Sequence, residues 1–208
     1  MTPPRDIHDS LDVLDDATAA LVHLAAVVAA GNEDAVRGEI ARTGGAIPDV
    51  WVEELLLQTY LFAGFPRALN AMREWRRVHP AVAGSPVSPE PSRADGEATS
   101  ERVYGRMYDR LRENIRHLHP LLDDWMITEG YGKVLSRPGL DLPRRELCIV
   151  AACAATGQDR QLHSHLHGAR NAGVSVSAVD AGLEALADLL GASRLRDVKL
   201  LWSRVRGK

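Results

Sequence analysis

The chain has 208 residues, of which 45% are hydrophobic and 25% charged, as expected for a globular protein with one sizeable domain or two small ones. A net charge of −3 without a polybasic run argues against a nucleic-acid partner. The N-terminus lacks the basic start and apolar core of a signal peptide, and the most apolar stretch, Leu24–Ala30, is too short to cross a bilayer. We therefore expect neither nucleic acid nor membrane as a partner.

Apolar residues recur at helical spacing almost throughout the chain, and no clear run alternates as a strand would, so the sequence predicts an all-α fold. The segment Tyr131–Leu140 is predicted to be an ordered loop that turns at Pro138 and Gly139. Caps and breakers set the helix boundaries. The predicted helices span 15–30, 32–42, 48–62, 66–78, 101–119, 121–128 and 143–157, then a histidine-rich helix ending at Gly173, a helix capped by Ser175 or Ser177, and 193–205.

Residues 80–100 are rich in Pro, Gly, Ser and Ala, which predicts an exposed linker, with a partner-binding polyproline segment as the alternative. The parts on either side match weakly. An offset of 126 aligns Leu21–Gly31 with Leu147–Gly157, and an offset of 127 aligns Trp75 with Trp202. We interpret 1–79 as a degenerate helical unit, 80–100 as a linker and 101–208 as a related unit that carries the site.

Two consecutive helices within 146–173 each place a titratable group on an apolar face. Glu146 shares the face of Ile149 and Val150 at 100° per residue, and His165 falls within the apolar arc of the next helix. On spacing alone, Glu146 is also explained as a carboxylate in a helix's first turn, and His165 as a satisfied core histidine. Ionisable groups are costly to bury unless they are paired. The two residues are therefore also candidates for a functional site.

The two cysteines, Cys148 and Cys153, lie five residues apart on one predicted helix and face different sides of it, so they cannot form a disulfide with each other. We predict that both are buried in the core of a protein from a reducing cytoplasm. His163 and His167 lie four residues apart and are a possible zinc pair, but no third ligand is near in sequence. We therefore predict no metal site.

Three stretches carry a resemblance to a known family: YGKVLSRPGL at Tyr131–Leu140, Arg145-Glu146-Leu147, and QLHSHLHGARNAG at Gln161–Gly173. They resemble the carboxymuconolactone decarboxylase-like proteins, which include the decarboxylase itself and the alkyl hydroperoxidase D-type peroxidases. The resemblance implies an alkyl hydroperoxidase D-like helical fold, built here from two tandem helical units. In that family a Glu opens one helix and a His follows 19 positions later, as Glu146 and His165 do.

The resemblance implies a cofactor-free decarboxylase that acts on an unsaturated lactone acid in aromatic-compound catabolism. His165 would be the acid that delivers a proton, and Glu146 would orient it. Gln158 and Gln161 would donate hydrogen bonds to the substrate, and Arg160 and Arg137 are candidates for holding its second carboxylate. The resemblance also implies a homo-oligomer, either a trimer or a hexamer.

Two alternatives differ in class. The peroxidases of the family use two redox cysteines, but Gln158 and Gln161 occupy the matching positions here. A dithiol peroxidase is therefore disfavoured even though the family label of peroxiredoxin activity would suggest it. The other alternative is a non-catalytic scaffold or binding protein that keeps the fold.

Overall fold

The computed structural model describes residues 10–80 and 92–207, and the regular elements of those residues are helices apart from a parallel bridge between Leu11 and Val174. The all-α prediction is confirmed. The helices are α1 (Asp16–Ala30), α2 (Glu33–Thr43), α3 (Asp49–Ala63), α4 (Phe65–Val78), α5 (Arg93–Tyr104), α6 (Tyr108–Leu118), α7 (Pro120–Trp125), a π-helical segment (Met126–Leu135), α8 (Leu142–Thr156), α9 (Asp159–Asn171), α10 (Val176–Glu184) and α11 (Ala187–Arg206). Within these residues, no helix is long and apolar enough to cross a membrane.

Helices α1 and α8 pack along each other at the centre of the fold. Each begins after an aspartate whose side chain accepts a hydrogen bond from the third backbone N–H beyond it: Asp15 from Thr18 and Asp141 from Arg144. The two helices have the same length, and an offset of 126 superposes their bounds. The equivalent residues Thr18 and Arg144 contact each other, with Arg144 Nε donating to Thr18 Oγ1 at 2.9 Å. Such a contact between equivalent positions is expected close to a two-fold axis.

The later parts of the two units also correspond, at an offset of 127. Gly64 (φ 86°, ψ 158°) precedes α4, and Gly191 (φ 69°, ψ 164°) introduces a kink into α11 with nearly the same backbone conformation. A glycine tolerates this positive φ because it has no Cβ. The same interruption of the helical backbone therefore occurs in both units, although few residues are identical between them in this region.

Two buried tryptophans provide a further correspondence. Trp75 Nε1 donates to Glu53 Oε1 at 3.4 Å, and Trp202 Nε1 donates to Asp180 Oδ1 at 2.6 Å. The offset of 127 relates both the donors and the acceptors. These repeated contacts support the interpretation of two related units, while the exact division of the chain into units stays a prediction.

Residues 81–91 lie outside the described residues, but the remainder of the predicted linker is not a linker. Helix α5 begins at Arg93, and Ser100 on it is fully buried. Gly96 of α5 faces Gly132 of the π-helical segment so closely that a Cβ on Gly96 would lie 2.2 Å from the Ile127 carbonyl oxygen. Backbones approach this closely only at glycine. The prediction of an exposed linker through residue 100 is therefore wrong for residues 93–100.

Three other boundaries differ from the sequence-based prediction. The single helix predicted for 101–119 is broken at Gly105, which has a φ of 50°. Residues 131–135 of the predicted loop belong to the π-helical segment, although the chain does turn at Pro138 and Gly139. A helical stretch over residues 187–190 precedes the helix predicted from Ser193, and the non-helical backbone of Gly191 separates the two.

Helix α8 is buried along most of its length, so its charged residues must find partners inside the protein. Arg145 is fully buried and donates from Nη2 to Glu54 Oε2 at 2.8 Å and from Nη1 to Gln58 Oε1 at 3.1 Å, both on α3. Its Nε donates to the Leu140 carbonyl oxygen at 3.0 Å. These bonds tie α8 to α3 and to the turn that precedes α8.

Replacing Arg145 by Met is expected to lower the free energy of unfolding by about 3–5 kcal/mol, because the buried acceptors on Glu54, Gln58 and Leu140 each lose a donor and only Arg137 remains beside Glu54. Urea unfolding followed by circular dichroism measures this change. The matched control is Lys133→Met, which removes a cation of an exposed pair with Glu129 and is expected to change stability by less than about 1 kcal/mol. Similar losses in the two variants would contradict the role assigned to Arg145.

Candidate functional site

Helices α8 and α9 bring together the two titratable residues that the sequence places on inward faces. Glu146 is 0% exposed and His165 is 5% exposed. His165 Nδ1 and Glu146 Oε2 lie 2.9 Å apart and form a hydrogen bond. A carboxylate bonded to one ring nitrogen fixes the orientation of the imidazole and directs the other nitrogen away from the carboxylate. The arrangement is that of a histidine positioned for proton transfer, and its catalytic role is a separate prediction.

A glycine on α9 makes room for the Glu146 carboxylate. A Cβ added to Gly168 would lie 2.5 Å from Glu146 Oε2 and 2.8 Å from Val103 Cγ1. Neither atom has space to accept such a contact, since α5 carries Val103 against the same face of α9. Close packing of α5, α8 and α9 at Gly168 thus holds the carboxylate beside His165.

One oxygen of Glu146 is left without a partner. Glu146 Oε1 is buried and accepts no hydrogen bond from the described residues. Most buried polar atoms in proteins are paired, so an unpaired carboxylate oxygen is a feature that requires an explanation. It provides a place for a proton or for a hydrogen bond from a bound molecule, which a fully satisfied ion pair would not.

Aromatic side chains from three elements surround His165. The ring of Phe62, on α3, meets the imidazole edge-on with 5.5 Å between ring centroids, and the ring of Tyr104, on α5, lies 6.4 Å away. Tyr131, on the π-helical segment, donates from its hydroxyl to the Tyr104 hydroxyl oxygen at 2.8 Å. The first unit, which includes Phe62, therefore supplies part of the wall around the site of the second.

Both tyrosines remain neutral hydrogen-bond donors at physiological pH. Burial raises the pKa of Tyr104 and of Tyr131 well above the usual value, and the nearby charge of Glu146 contributes to both shifts. Because Tyr131 donates to the Tyr104 oxygen, Tyr104 retains its own proton for a different acceptor. The site thus offers a phenol donor close to the imidazole.

The cysteines occupy apolar surroundings. Both are buried free thiols, which confirms the prediction of burial. Burial raises the pKa of Cys153 to about 12, and the charge of Glu146 acts in the same direction. Burial likewise raises the pKa of Cys148. A nucleophilic cysteine needs a lowered pKa, so neither thiol has the environment of a redox-active residue.

The polar candidates on α9 lie at its exposed N-terminal turn. Gln158, Gln161 and His165 fall on one stripe of the helix, at spacings of three and four residues. Arg160 lies on a different side of the same turn and is exposed. The two glutamines therefore extend from His165 toward solvent, whereas Arg160 lies about 140° from His165 around the helix axis.

Arg137, a predicted substrate ligand, is paired with a buried carboxylate in this structure. Its Nε and Nη2 both donate to the Glu54 carboxylate, at distances of 2.9–3.2 Å. Glu54 is buried and binds Arg145 as well, so both guanidinium groups compensate one internal carboxylate. That Arg137 holds a substrate carboxylate stays a prediction, although its Nε and Nη2 already donate to Glu54.

The histidine pair on the outer side of α9 does not form a metal site with its neighbours. The rings of His163 and His167 lie edge-to-face with 5.0 Å between centroids. Across residues 10–80 and 92–207, no cluster of three or more His, Cys, Asp or Glu side chains is arranged to hold a metal ion. His163 and His167 therefore contact each other as neighbouring rings.

Sequence reasoning missed Phe62, Tyr104 and Tyr131. Tyr131 stands inside the motif that carries the family resemblance, and this was the available signal. Tyr104 ends α5, and its position depends on the break at Gly105, which apolar periodicity does not reveal. Phe62 lies 103 residues before His165, so only the packing of the two units brings them together.

The first unit contains a reversed histidine–carboxylate pair that was also missed. Glu39, which the offset of 126 places opposite His165, accepts from His23 Nδ1 at 2.6 Å and from two nitrogens of Arg42 at 2.6 and 2.9 Å. Burial raises the pKa of Glu39, but the bonds from Arg42 and His23 lower it below the usual value. Both Glu39 oxygens are therefore satisfied, in contrast to Glu146, and the reversed pair has the character of a structural ion pair.

Comparisons with known proteins found one family match and one relative. Residues 120–203, which include α8, α9 and both members of the buried pair, match the model of the Carboxymuconolactone decarboxylase family. The chain is also similar to Peroxisomal protein 2 of Schizosaccharomyces pombe (strain 972), with 29% identity over 138 residues. This match covers 62% of the present chain and 63% of the relative, so the chain spans less than two thirds of that protein's length.

Replacing Gly168 by Ala is expected to lower the free energy of unfolding by about 1–3 kcal/mol, since the added methyl group collides with Glu146 Oε2. Gly38→Ala is the matched control: Gly38 is an exposed residue inside α2 with open space around it. That change is expected to stabilise the protein by about 0.5–1 kcal/mol through helix propensity. Thermal and urea unfolding measure both, and a Gly168→Ala variant as stable as the wild type would contradict the packing described.

Both cysteines are expected to resist Ellman's reagent in the native protein at pH 8. Burial keeps the pKa of Cys153 near 12, so almost none of it is thiolate at that pH. Unfolding in guanidinium should release two reactive thiols per chain, which serves as the internal control. Rapid labelling of the folded protein would show that one thiol is accessible and ionised.

Proposed function

We propose that the protein is a cofactor-free carboxy-lyase that decarboxylates an unsaturated lactone acid in aromatic-compound catabolism, because residues 120–203 match the model of the Carboxymuconolactone decarboxylase family. The observation that carries the proposal is the buried hydrogen bond between His165 Nδ1 and Glu146 Oε2. It combines a proton donor, an orienting carboxylate and an unpaired carboxylate oxygen in one enclosed region.

The proposed step needs no external oxidant or reductant. The bond between the ring carbon and its carboxylate breaks, and carbon dioxide leaves without the electron pair. The electron pair enters the conjugated system and gives a dienolate whose negative charge lies on the carbonyl oxygen of the lactone. His165 then delivers a proton to carbon, and the charge on oxygen collapses to restore a neutral lactone.

The surrounding side chains have distinct tasks in this proposal. Glu146 holds the imidazole and balances its charge when it is protonated. The Tyr104 hydroxyl is the nearby donor for the developing enolate oxygen, because Tyr131 already supplies the hydrogen bond that Tyr104 accepts. Gln158 and Gln161, on the His165 stripe, donate to the carbonyl or carboxylate of the substrate.

Holding the carboxylate that is not lost requires a cation. With Arg137 and Arg145 bound to Glu54, we assign this role to Arg160, an exposed cation in the first turn of α9. Arg160 is exposed, so its contribution in water is modest until the substrate covers it. The substrate is therefore proposed to bind with its lactone ring toward His165 and its retained carboxylate toward solvent.

The peroxidase alternative lacks its nucleophile. Gln158 and Gln161 stand at the positions of the redox cysteines, and Cys153 is a buried thiol with a raised pKa. A thiolate attack on a peroxide has no suitable residue among the described part of the chain. The scaffold alternative differs in a testable way, because a non-catalytic protein would not lose a reaction when His165 is replaced.

We also propose that the protein works in a reducing compartment, for which the cytoplasm is our assignment. The two unpaired, buried cysteines fit such a compartment. The name of the S. pombe relative places that protein in the peroxisome. The peroxisome is therefore the alternative location to test for this chain. A fluorescent fusion expressed in the source cells distinguishes the two locations.

His165→Ala is expected to lower kcat/KM for 4-carboxymuconolactone by about 10²–10⁴-fold, the usual contribution of a positioned general acid. Carbon dioxide release and lactone absorbance measure the turnover. Glu146→Gln, which retains the shape but not the charge, is expected to lower kcat by a smaller factor. Arg160→Ala is expected to raise KM with little effect on kcat.

His163→Ala is the matched control, since it removes a histidine of the same helix that faces away from the pair. It should leave kcat/KM within a factor of about three if His165 acts specifically. Circular dichroism must show that every variant is folded. Absence of turnover by folded wild-type protein would refute the substrate assignment, and equal turnover by wild type and His165→Ala would refute the mechanism.

A further inference from the structure

The side chains around His165 form a wall that suits a small, neutral ring. The Phe62 ring meets the imidazole edge-on with 5.5 Å between centroids, and the Tyr104 ring lies 6.4 Å from it. The Tyr131 ring lies 5.8 Å from the Tyr104 ring at an angle of 74°. Binding sites for small molecules combine such an aromatic lining with a few placed polar groups. The polar groups here are an imidazole, the Glu146 carboxylate and two phenols, which match an unsaturated lactone ring and its carbonyl oxygen.

Three arginines that flank the site in sequence act outside this wall. Arg137 and Arg145 both donate to the Glu54 carboxylate on α3. Arg160 is exposed and lies about 140° from His165 around the axis of α9. The contacts inside the wall are therefore directed at the ring of a substrate, whether or not that ring carries a carboxylate.

The pair of Glu146 and His165 is arranged to remove a proton as well as to deliver one. His165 Nδ1 is bonded to Glu146 Oε2, so Nε2 is the ring nitrogen left to accept a proton. Once Nε2 is protonated, the adjacent carboxylate stabilises the imidazolium that has formed. Decarboxylation uses only the delivery of the proton. A group that protonates a carbon also removes a proton from that carbon, because the forward and reverse steps share one transition state.

Tyr104 provides the donor that such a proton removal needs. Burial raises the pKa of Tyr104, so its hydroxyl keeps its proton, and Tyr131 supplies the hydrogen bond that the hydroxyl oxygen accepts. A fixed donor in a buried site stabilises a negative oxygen far better than water does. A dienolate oxygen requires this donor equally when the dienolate is formed by loss of carbon dioxide and when it is formed by loss of a proton.

We propose that the site has a second activity, the isomerisation of neutral β,γ-unsaturated lactones to their conjugated α,β-unsaturated isomers. The inference rests on the proposed function, because both reactions pass through a dienolate beside His165 and Tyr104. It extends that function to a different class of substrate, a lactone that has no carboxylate to lose. An acid–base group beside a phenol donor is a recurrent arrangement for moving a proton next to a carbonyl.

The step is a proton transfer between two carbons and needs no co-reactant. His165 Nε2 takes the proton from the α carbon, and the electron pair of that bond forms a double bond to the carbonyl carbon. The carbonyl π electrons move to oxygen, where the Tyr104 hydroxyl donates to them. The imidazolium then returns the proton to the γ carbon, which accepts it with the electrons of the β,γ double bond. The remaining double bond shifts to the α,β position and the carbonyl re-forms.

The probe is α-angelica lactone, a neutral β,γ-unsaturated lactone. Wild-type protein is expected to convert it to the conjugated isomer at least about 100-fold faster than buffer alone. Ultraviolet absorbance follows the new conjugation, and proton NMR identifies the product. Proton NMR in D2O also detects exchange at the α carbon, which reports proton removal even where the lactone is not fully converted.

His165→Ala is expected to lower kcat/KM for this probe by about 10²–10⁴-fold. Tyr104→Phe keeps the ring and removes only the hydroxyl, so the fold is retained, and kcat is expected to fall by about 10²–10³-fold. The matched control is His163→Ala, which should stay within a factor of about three of the wild type. Circular dichroism checks that each variant is folded.

The outcomes separate this inference from the proposed decarboxylation. Isomerisation that requires His165 and Tyr104, without carbon dioxide release from 4-carboxymuconolactone, would support the inference and refute the decarboxylase. Carbon dioxide release by a protein that neither isomerises nor exchanges α-angelica lactone would overturn the inference alone. Equal isomerisation by wild type and folded Tyr104→Phe or His165→Ala would also overturn it, because the reaction would then not occur at this site.

Discussion

The burial of α8 is the constraint on which the rest of the structure depends. Two adjacent residues of this helix, Arg145 and Glu146, carry opposite charges and are fully buried. They lie 100° apart around the helix axis, so they turn to different neighbours instead of to each other. Arg145 binds α3 through Glu54, and Glu146 binds α9 through His165. Each of these pairings fixes one neighbouring helix against the central one.

The two pairings differ in how many of their hydrogen-bonding atoms have partners. This difference distinguishes a structural ion pair from a candidate functional one. The Arg145 guanidinium has partners for all three of its nitrogens. Glu146 has one oxygen bonded to His165 and one without a partner among the described residues. A satisfied buried ion pair gains nothing from a further ligand, whereas a half-satisfied carboxylate does. The same contrast distinguishes Glu146 from Glu39, which three donors hold in the first unit.

Periodicity predicted those features that depend on one helix and its caps. It located the faces of Glu146 and His165 and the burial of both cysteines, and Ser175, one of the two serines it offered, caps α10. It failed where the packing does not use apolar side chains. Residues 93–100 are polar and were assigned to a linker, yet they pack through the backbone contact between Gly96 and Gly132.

Long-range pairing was a second source of error. Arg137 looked available because its partner Glu54 lies 83 residues away, and no local pattern records that bond. Phe62 and Tyr104 became part of the site for the same reason, since each comes from a different element from the helices that carry the pair. Residues 131–135 of the π-helical segment are predicted to be a loop because its wider turns shift the phase of apolar residues away from the helical repeat.

The contact between Thr18 and Arg144 has a consequence for how such a chain can change. In an assembly of two identical units, every substitution appears twice, so a site cannot be lost on one side and kept on the other. When both units belong to one polypeptide, this coupling ends. The half around α1 keeps the packing of its counterpart, as the repeated tryptophan contacts show. Its own pair, His23 and Glu39, is held in place by hydrogen bonds. Its Phe62 contacts His165 of the other half. One half thereby becomes free to specialise as a wall for the other.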